Sequence, residues 1–152
     1  MPAGTSYWIQ EGMLAREIYN ADVDGDGRID HVFFKLKDKF LHPNHPIGWV
    51  KKIGVCIDGE MIDPERICFV LRGQWIPLKY MPTICDIWWH MLEDACIYIR
   101  SNGLEDGRVV HIRCDIDISL LVHTQNLDSN GIFPCLHCSL DEDMSVQKEL
   151  QA

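Results

Sequence analysis

Between Arg108 and His123 the chain runs RVVHIRCDIDISLLVH, and its residues sort by parity. Val110, Ile112, Cys114, Ile116, Ile118, Leu120 and Val122 fall on one set, and His111, Arg113, Asp115, Asp117 and Ser119 on the other. Strict period two over this length means an extended strand with one dry and one wet face. An α-helix would scatter the same apolar residues around its axis. Strands of this kind belong to antiparallel sheets packed on one side only.

Weaker copies of the pattern recur. Val32, Phe34 and Leu36 alternate with His31, Lys35 and Lys37, and Ile53, Val55 and Ile57 with Lys52, Gly54 and Cys56. Ile67, Phe69 and Leu71 form a short strand ending at Gly73, and Ala95 to Arg100 forms another, closed by Asn102-Gly103. Asp58-Gly59 supplies a hairpin turn, because glycine takes positive φ without steric cost. No long segment carries a 3.6-residue period; at most Asp63-Pro64-Glu65-Arg66 makes one helical turn, with proline in the first turn. These features predict an all-β, single-domain antiparallel β-sandwich, jelly-roll-like or immunoglobulin-like. The expected domain covers residues 1–140, and the polar stretch 141–152 is expected to be a loosely ordered tail.

Charge and cysteine content bound the function. The 14 basic and 23 acidic residues leave a net charge of −9, which argues against nucleic acid and anionic membrane as partners, since both attract basic patches. No apolar run is long enough to cross a bilayer. The start, MPAGTSYWIQEGM, has no basic region followed by an apolar stretch, so no signal peptide is expected and the cytoplasm is the expected compartment. Of seven cysteines the first five, Cys56, Cys68, Cys85, Cys96 and Cys114, are scattered through apolar strand-like segments and read as buried reduced thiols. Cys135-Leu136-His137-Cys138 has no second ligand pair, which argues against structural zinc.

The stretch Asp22-Val23-Asp24-Gly25-Asp26-Gly27-Arg28-Ile29-Asp30 is arranged like a calcium loop. Calcium takes hard oxygen ligands. Asp22, Asp24 and Asp26 occupy positions one, three and five, Gly27 allows the sharp turn, Arg28 offers its backbone carbonyl, and Asp30 sits at nine. An EF-hand needs Glu at position twelve and flanking helices; here position twelve is Phe33 and the flanks are strands. The arrangement resembles the inter-strand calcium loops of integrin-type propeller blades. Two readings stand, a structural calcium ion in this chain or a solvated hairpin turn built from ordinary turn residues.

The chemistry inventory is sparse. No two-histidine helical pair, Gly-x-Ser-x-Gly elbow, phosphate-cradling loop or dinucleotide fingerprint occurs, so no residue here is expected to be catalytic. His42-Pro43-Asn44-His45-Pro46 is a proline-held loop whose two imidazoles could be a ligand pair or a contact; the plainer reading is a surface loop, since two histidines alone make a poor site. The segment 71–95 concentrates Trp75, Tyr80, Met81, Trp88, Trp89 and Met91, while Pro77 and Pro82 interrupt strand pairing there. Aromatics and methionine on such an excursion suit a partner-binding surface; the plainer reading is that the tryptophans plug the end of the sandwich.

The run IGVCIDGEMIDPERICFVLRGQWIPLKYMPTICDIWWHMLEDACIYIRSNGLEDGRVVHI resembles the β (small) subunit of bacterial C-glycoside deglycosidases. Val55-x-Ile57-Asp58-Gly59-Glu60, Ile67 to Arg72-Gly73, Trp88 with Glu93, the strand to Ile99, and Gly103-Leu104-x-x-Gly107 carry the likeness, over about residues 14 to 125. The acidic loop and the stretch after Asn126 are not matched. The resemblance implies a β-sandwich that pairs with a larger α-subunit, a sugar-isomerase-type TIM barrel holding a divalent metal ion, expected to be manganese. The pair would act as a lyase on flavonoid-type 3-oxo-C-glucosides, with substrate at or near the interface. In that setting Trp75, Tyr80, Met81, Trp88 and Trp89 are the expected contacts, with His42 and His45 as outer candidates. The alternative is a stand-alone calcium-stabilised β-module that binds carbohydrate or protein.

Overall fold

In the computed structural model, residues 12–39, 44–119 and 136–148 are described. Among these residues eleven strands follow one another: β1 (Leu14–Ala21), β2 (His31–Lys37), β3 (His45–Pro46), β4 (Val50–Ile57), β5 (Glu60–Met61), β6 (Ile67–Leu71), β7 (Gln74–Pro77), β8 (Trp88–Trp89), β9 (Asp94–Arg100), β10 (Val109–Ile118) and β11 (Leu136–Lys148). Nine of them join in the order β5-β4-β10-β11-β1-β2-β9-β6-β7, while β3 and β8 form a separate ribbon. Among the described residues the only helical pieces are short 3-10 turns. The all-β expectation holds, and the sandwich is one continuous sheet curled over on itself.

Alternation explains the curl. Val110, Ile112, Cys114, Ile116 and Ile118 of β10 are all buried, and they share one core with Ile18, Phe34, Phe69 and Ile97 from the opposite half of the sheet. Tight turns set the registers. Asp58-Gly59 (φ 49° and 83°) links β4 to β5, and Arg72-Gly73 (φ 48° and 78°) links β6 to β7; both pairs adopt the left-handed geometry that two-residue hairpins require. Pro64–Arg66 forms the expected single turn, capped by the Asp63 carboxylate, which accepts from the Glu65 N–H at 3.0 Å.

Two expectations change. Residues 141–148 are not a loose tail but the second half of β11, a central strand paired with β10 from Val109–Ser145 to Ile118–Leu136. Cys138, Leu140, Met144 and Val146 enter the core from it, and burial of that face fixes the strand despite its acidic composition. Second, the sheet is not wholly antiparallel, because β1 and β11 run parallel. Alternation reports which face a residue takes, not the direction of its neighbour. Cys85, grouped by sequence with buried thiols, is exposed, whereas Cys114 and Cys138 are buried.

The two terminal strand pairs, β4–β5 and β6–β7, do not bond to each other. The 3-10 turn Leu78–Thr83 packs on β4, β6 and β7 across this seam. The approach is close at Gly48, whose N–H donates to the Ile84 carbonyl at 2.9 Å; a Cβ there would stand 2.4 Å from that oxygen.

Candidate functional site

The acidic loop folds around its own carboxylates. Asp22 accepts from the N–H groups of Gly25 (2.9 Å) and Gly27 (2.7 Å), and Asp30 from those of Val23 (3.0 Å) and Asp24 (3.1 Å). Asp24 and Asp26 accept from the next-but-one amide, at 3.0 and 2.8 Å. Oxygens of Asp22, Asp24 and Asp30 converge to within 4.8 Å, a spacing that suits a hard divalent cation. Asp26 is outside this trio, its side chain turned to the Arg28 amide. Crowding marks the charges. The Asp26 amide favours the Asp24 carboxylate, but desolvation and the carboxylates of Asp22 and Asp26 win and push its pKa up. Desolvation acts on Asp30 too, yet donation from His31 and the two amides holds it down at about 2.

His31 ties the loop to an aromatic row. Its Nδ1 donates to Asp30 at 2.7 Å, and its ring lies edge-on to Trp75 (5.5 Å) and Tyr98 (6.0 Å). On the outer face of the sheet Tyr19, Phe33 and Tyr98 are direct cross-strand neighbours on β1, β2 and β9. They stack at 5.0 and 4.6 Å, and Trp75 of β7 closes the row 4.4 Å from Tyr98. Cross-strand aromatic pairs stabilise a sheet, but the row also lays an apolar stripe across the outer face, between the exposed charges of Lys35 and Arg100.

The other half is charged outside. His111 of β10 directs Nδ1 to Asp143 and Nε2 to Asp141, each at 2.9 Å, and His137 directs Nδ1 to Asp117 at 2.5 Å. Both nitrogens of His111 can donate at once only in the imidazolium. Hydrogen bonds to Asp143 first and Asp141 second raise its pKa above 6.5. A raised folded-state value stabilises the fold below the unfolded pKa, and that contribution fades as pH rises through the folded one. NMR titration of His111 should therefore give a midpoint above 6.5 that falls in the Asp141→Asn, Asp143→Asn double variant; an unchanged midpoint in that variant would contradict the clamp.

The proposed contact residues separate by burial. Trp75 is 41% exposed, and Tyr80 and Trp88 are exposed as well. Met81 (1%), Trp89 (0%) and His45 (0%) are core residues, so none of these three offers a surface contact. The Trp89 indole N–H donates to the Glu93 carbonyl at 2.9 Å, and its ring packs against Phe69 and His45. The reading of tryptophan as a plug fits Trp89 and not its neighbour Trp88. His42 lies outside the described residues. Arg72 fixes the Trp88 end: its guanidinium donates to both Glu93 oxygens at 2.5 Å and to the Trp88 carbonyl at 2.7 Å. Exposed Met91 and Leu92 extend the patch from there. Tyr19, Phe33, Tyr98 and His31 were not singled out by sequence. Their signal is consecutive apolar residues, Val32-Phe33-Phe34 and Ala95 to Ile99, where both parities are apolar.

Against known families, a model described as C-glycoside deglycosidase beta subunit matches residues 43–120. No curated protein matches the chain. No helix among the described residues is long and apolar enough to cross a membrane.

Proposed function

Because the chain belongs to the C-glycoside deglycosidase beta subunit family, we propose that it is the small subunit of a heteromeric carbon–carbon lyase. The observation that carries a subunit role in the structure is the aromatic row Trp75, Tyr98, Phe33 and Tyr19 on the outer side of the sheet. Tyr19 and Phe33 are themselves buried in this row, and its end, Trp75, is exposed; an exposed aromatic held by a rigid row suits a contact surface.

The larger subunit, in this reading, is a TIM barrel that carries the divalent metal and the catalytic groups. The chemistry accounts for the division of labour. A C-glycoside has no glycosidic oxygen to protonate, so hydrolysis by paired carboxylates does not apply. A 3-oxo group acidifies the C2 proton, a general base removes it, and the aglycone departs with its electron pair and is protonated. The small subunit would cover the barrel mouth and bound the aglycone side, in the cytoplasm. Coexpression with a larger family subunit followed by a 3-oxo-C-glucoside cleavage assay tests this. A stable complex that cleaves, with each chain inactive alone, is the expected result. Full activity of the larger subunit without this chain would end the proposal.

We also propose that Asp22, Asp24 and Asp30 hold a structural calcium ion, with Asp26 and the Arg28 carbonyl closing the loop. A ligand at a hundred times its Kd stabilises the folded state by about 2.7 kcal/mol. Calcium should raise the Tm of the chain, chelator should reverse the rise, and Asp24→Ala should abolish it. Equal melting with calcium and with chelator would leave a self-capped turn.

A further inference from the structure

We propose that the open edge of β4 receives an extended segment of the larger subunit as an added short strand. This rests on the subunit reading above. β4 pairs along its length with β10, but on its other side only Cys56 and Ile57 meet β5. The Val55 carbonyl faces that open side, where it accepts from the Ile62 N–H at 2.9 Å. Alternation turns the N–H and C=O of Ile53 the same way, toward the seam with β6 and β7.

Two hollows flank this edge, one on each face. The inner one, 190 Å³, is walled by Ile53, Ile67, Pro77, Leu78 and Met81, with lysines at its rim. The outer one, 320 Å³, lies among Gly54, Met61, Asp115, Asp117 and His137. Successive side chains of a strand point to opposite faces. A strand laid along Ile53 would therefore place an apolar side chain in the inner hollow and a hydroxyl- or amide-bearing one in the outer. Backbone bonds supply the attachment and the alternating pockets the selectivity, as in other cases of strand addition.

Gly54 belongs to this arrangement. It lies within a strand without positive φ, and a Cβ added there would meet nothing nearer than the Asp115 Cβ at 3.9 Å. Neither backbone nor packing demands glycine; its missing side chain leaves the outer hollow open. A glycine of this kind within a strand often marks a close approach by another backbone.

The lysines select the occupant. Lys51, Lys52 and Lys79 border the inner hollow of a chain whose net charge is −9. A second copy pairing edge to edge would set Lys51 and Lys52 against their own counterparts, and lysine on an edge discourages such self-pairing. A segment of another chain that sets its carboxylates beside Lys51, Lys52 and Lys79 and an uncharged residue against Asp115 and Asp117 meets no such repulsion. The site also adjoins the aromatic row: Pro77 of the inner hollow and Trp75 of the row share β7.

Hydrogen exchange on the heteromer against the free chain tests the assignment. The Ile53 amide should exchange at least tenfold more slowly in the complex. Gly54→Val should weaken the complex at least tenfold without lowering the Tm of the free chain. If a complex forms but the Ile53 amide exchanges as in the free chain, the seam assignment falls and the subunit reading stands. If no complex forms, both fall. Protection that grows with the concentration of this chain alone would give the edge to a second copy and overturn the proposal.

Discussion

Trp89→Ala is expected to destabilise the isolated chain by about 3–5 kcal/mol, while Trp88→Ala, one residue away, changes it by less than about 0.5 kcal/mol. The two residues share the short strand β8 and point to opposite sides. Trp89 is fully buried, packs 5.2 Å from Phe69 and donates its indole N–H to the Glu93 carbonyl. Truncation leaves a cavity the size of an indole and removes one of two bonds to that carbonyl, which keeps the Asp38 N–H at 3.1 Å; the cavity is the main cost. Trp88 is 44% exposed and its ring fills no cavity. For a chain of this size each kcal/mol lowers Tm by about 2–4 °C, so urea and thermal denaturation separate the variants easily. Equal behaviour of the two alanine variants would show that Trp89 is not a core plug.

That contrast locates what the sequence made legible. Period two identified β10 and its inward residues, Asp58-Gly59 marked a hairpin, and Gly73 marked the end of β6, because few residues besides glycine accept positive φ there. It also implied that neighbours such as Trp88 and Trp89 must face opposite ways. Grouping them as joint anchors by composition ignored that implication, and composition likewise missed that Met81 is the buried residue of the 3-10 turn and that His45 is buried. β11 was hidden because Glu142 stands on the inward parity between Leu140 and Met144, and because Asp141 and Asp143 give the segment the composition of a tail. Its burial comes from partners β10 and β1, which are distant in sequence, and no local pattern reports them.

The candidate surface was half legible. Trp75 stood out as an aromatic on an excursion, but its companions Tyr19, Phe33 and Tyr98 lie on three strands, far apart in sequence. Sheet order alone brings them into one row. The acidic loop was legible as a motif because its residues are contiguous. The structure adds that Asp22, Asp24 and Asp30 form the convergent set and that Asp30 reaches the aromatic row through His31.

Trp75→Ala is expected to weaken association with the larger subunit by about 30-fold or more, which corresponds to about 2 kcal/mol. Trp75 ends the aromatic row, with one side against Tyr98 and His31 and the remainder open to solvent. A large ring held rigid by neighbouring rings loses little conformational freedom on binding, while desolvation of its open side contributes most of what an anchor supplies. The charged half-sheet predicts the converse. Asp141→Asn on β11 removes the charge from one acceptor of His111, in a row already satisfied within the chain, and should change affinity by less than about threefold. Calorimetric titration of the larger subunit with each variant, after matching their Tm values, distinguishes the two faces. If Asp141→Asn impairs binding and Trp75→Ala does not, the partner sits on the charged face. The aromatic row would then serve only to hold β1, β2, β9 and β7 together.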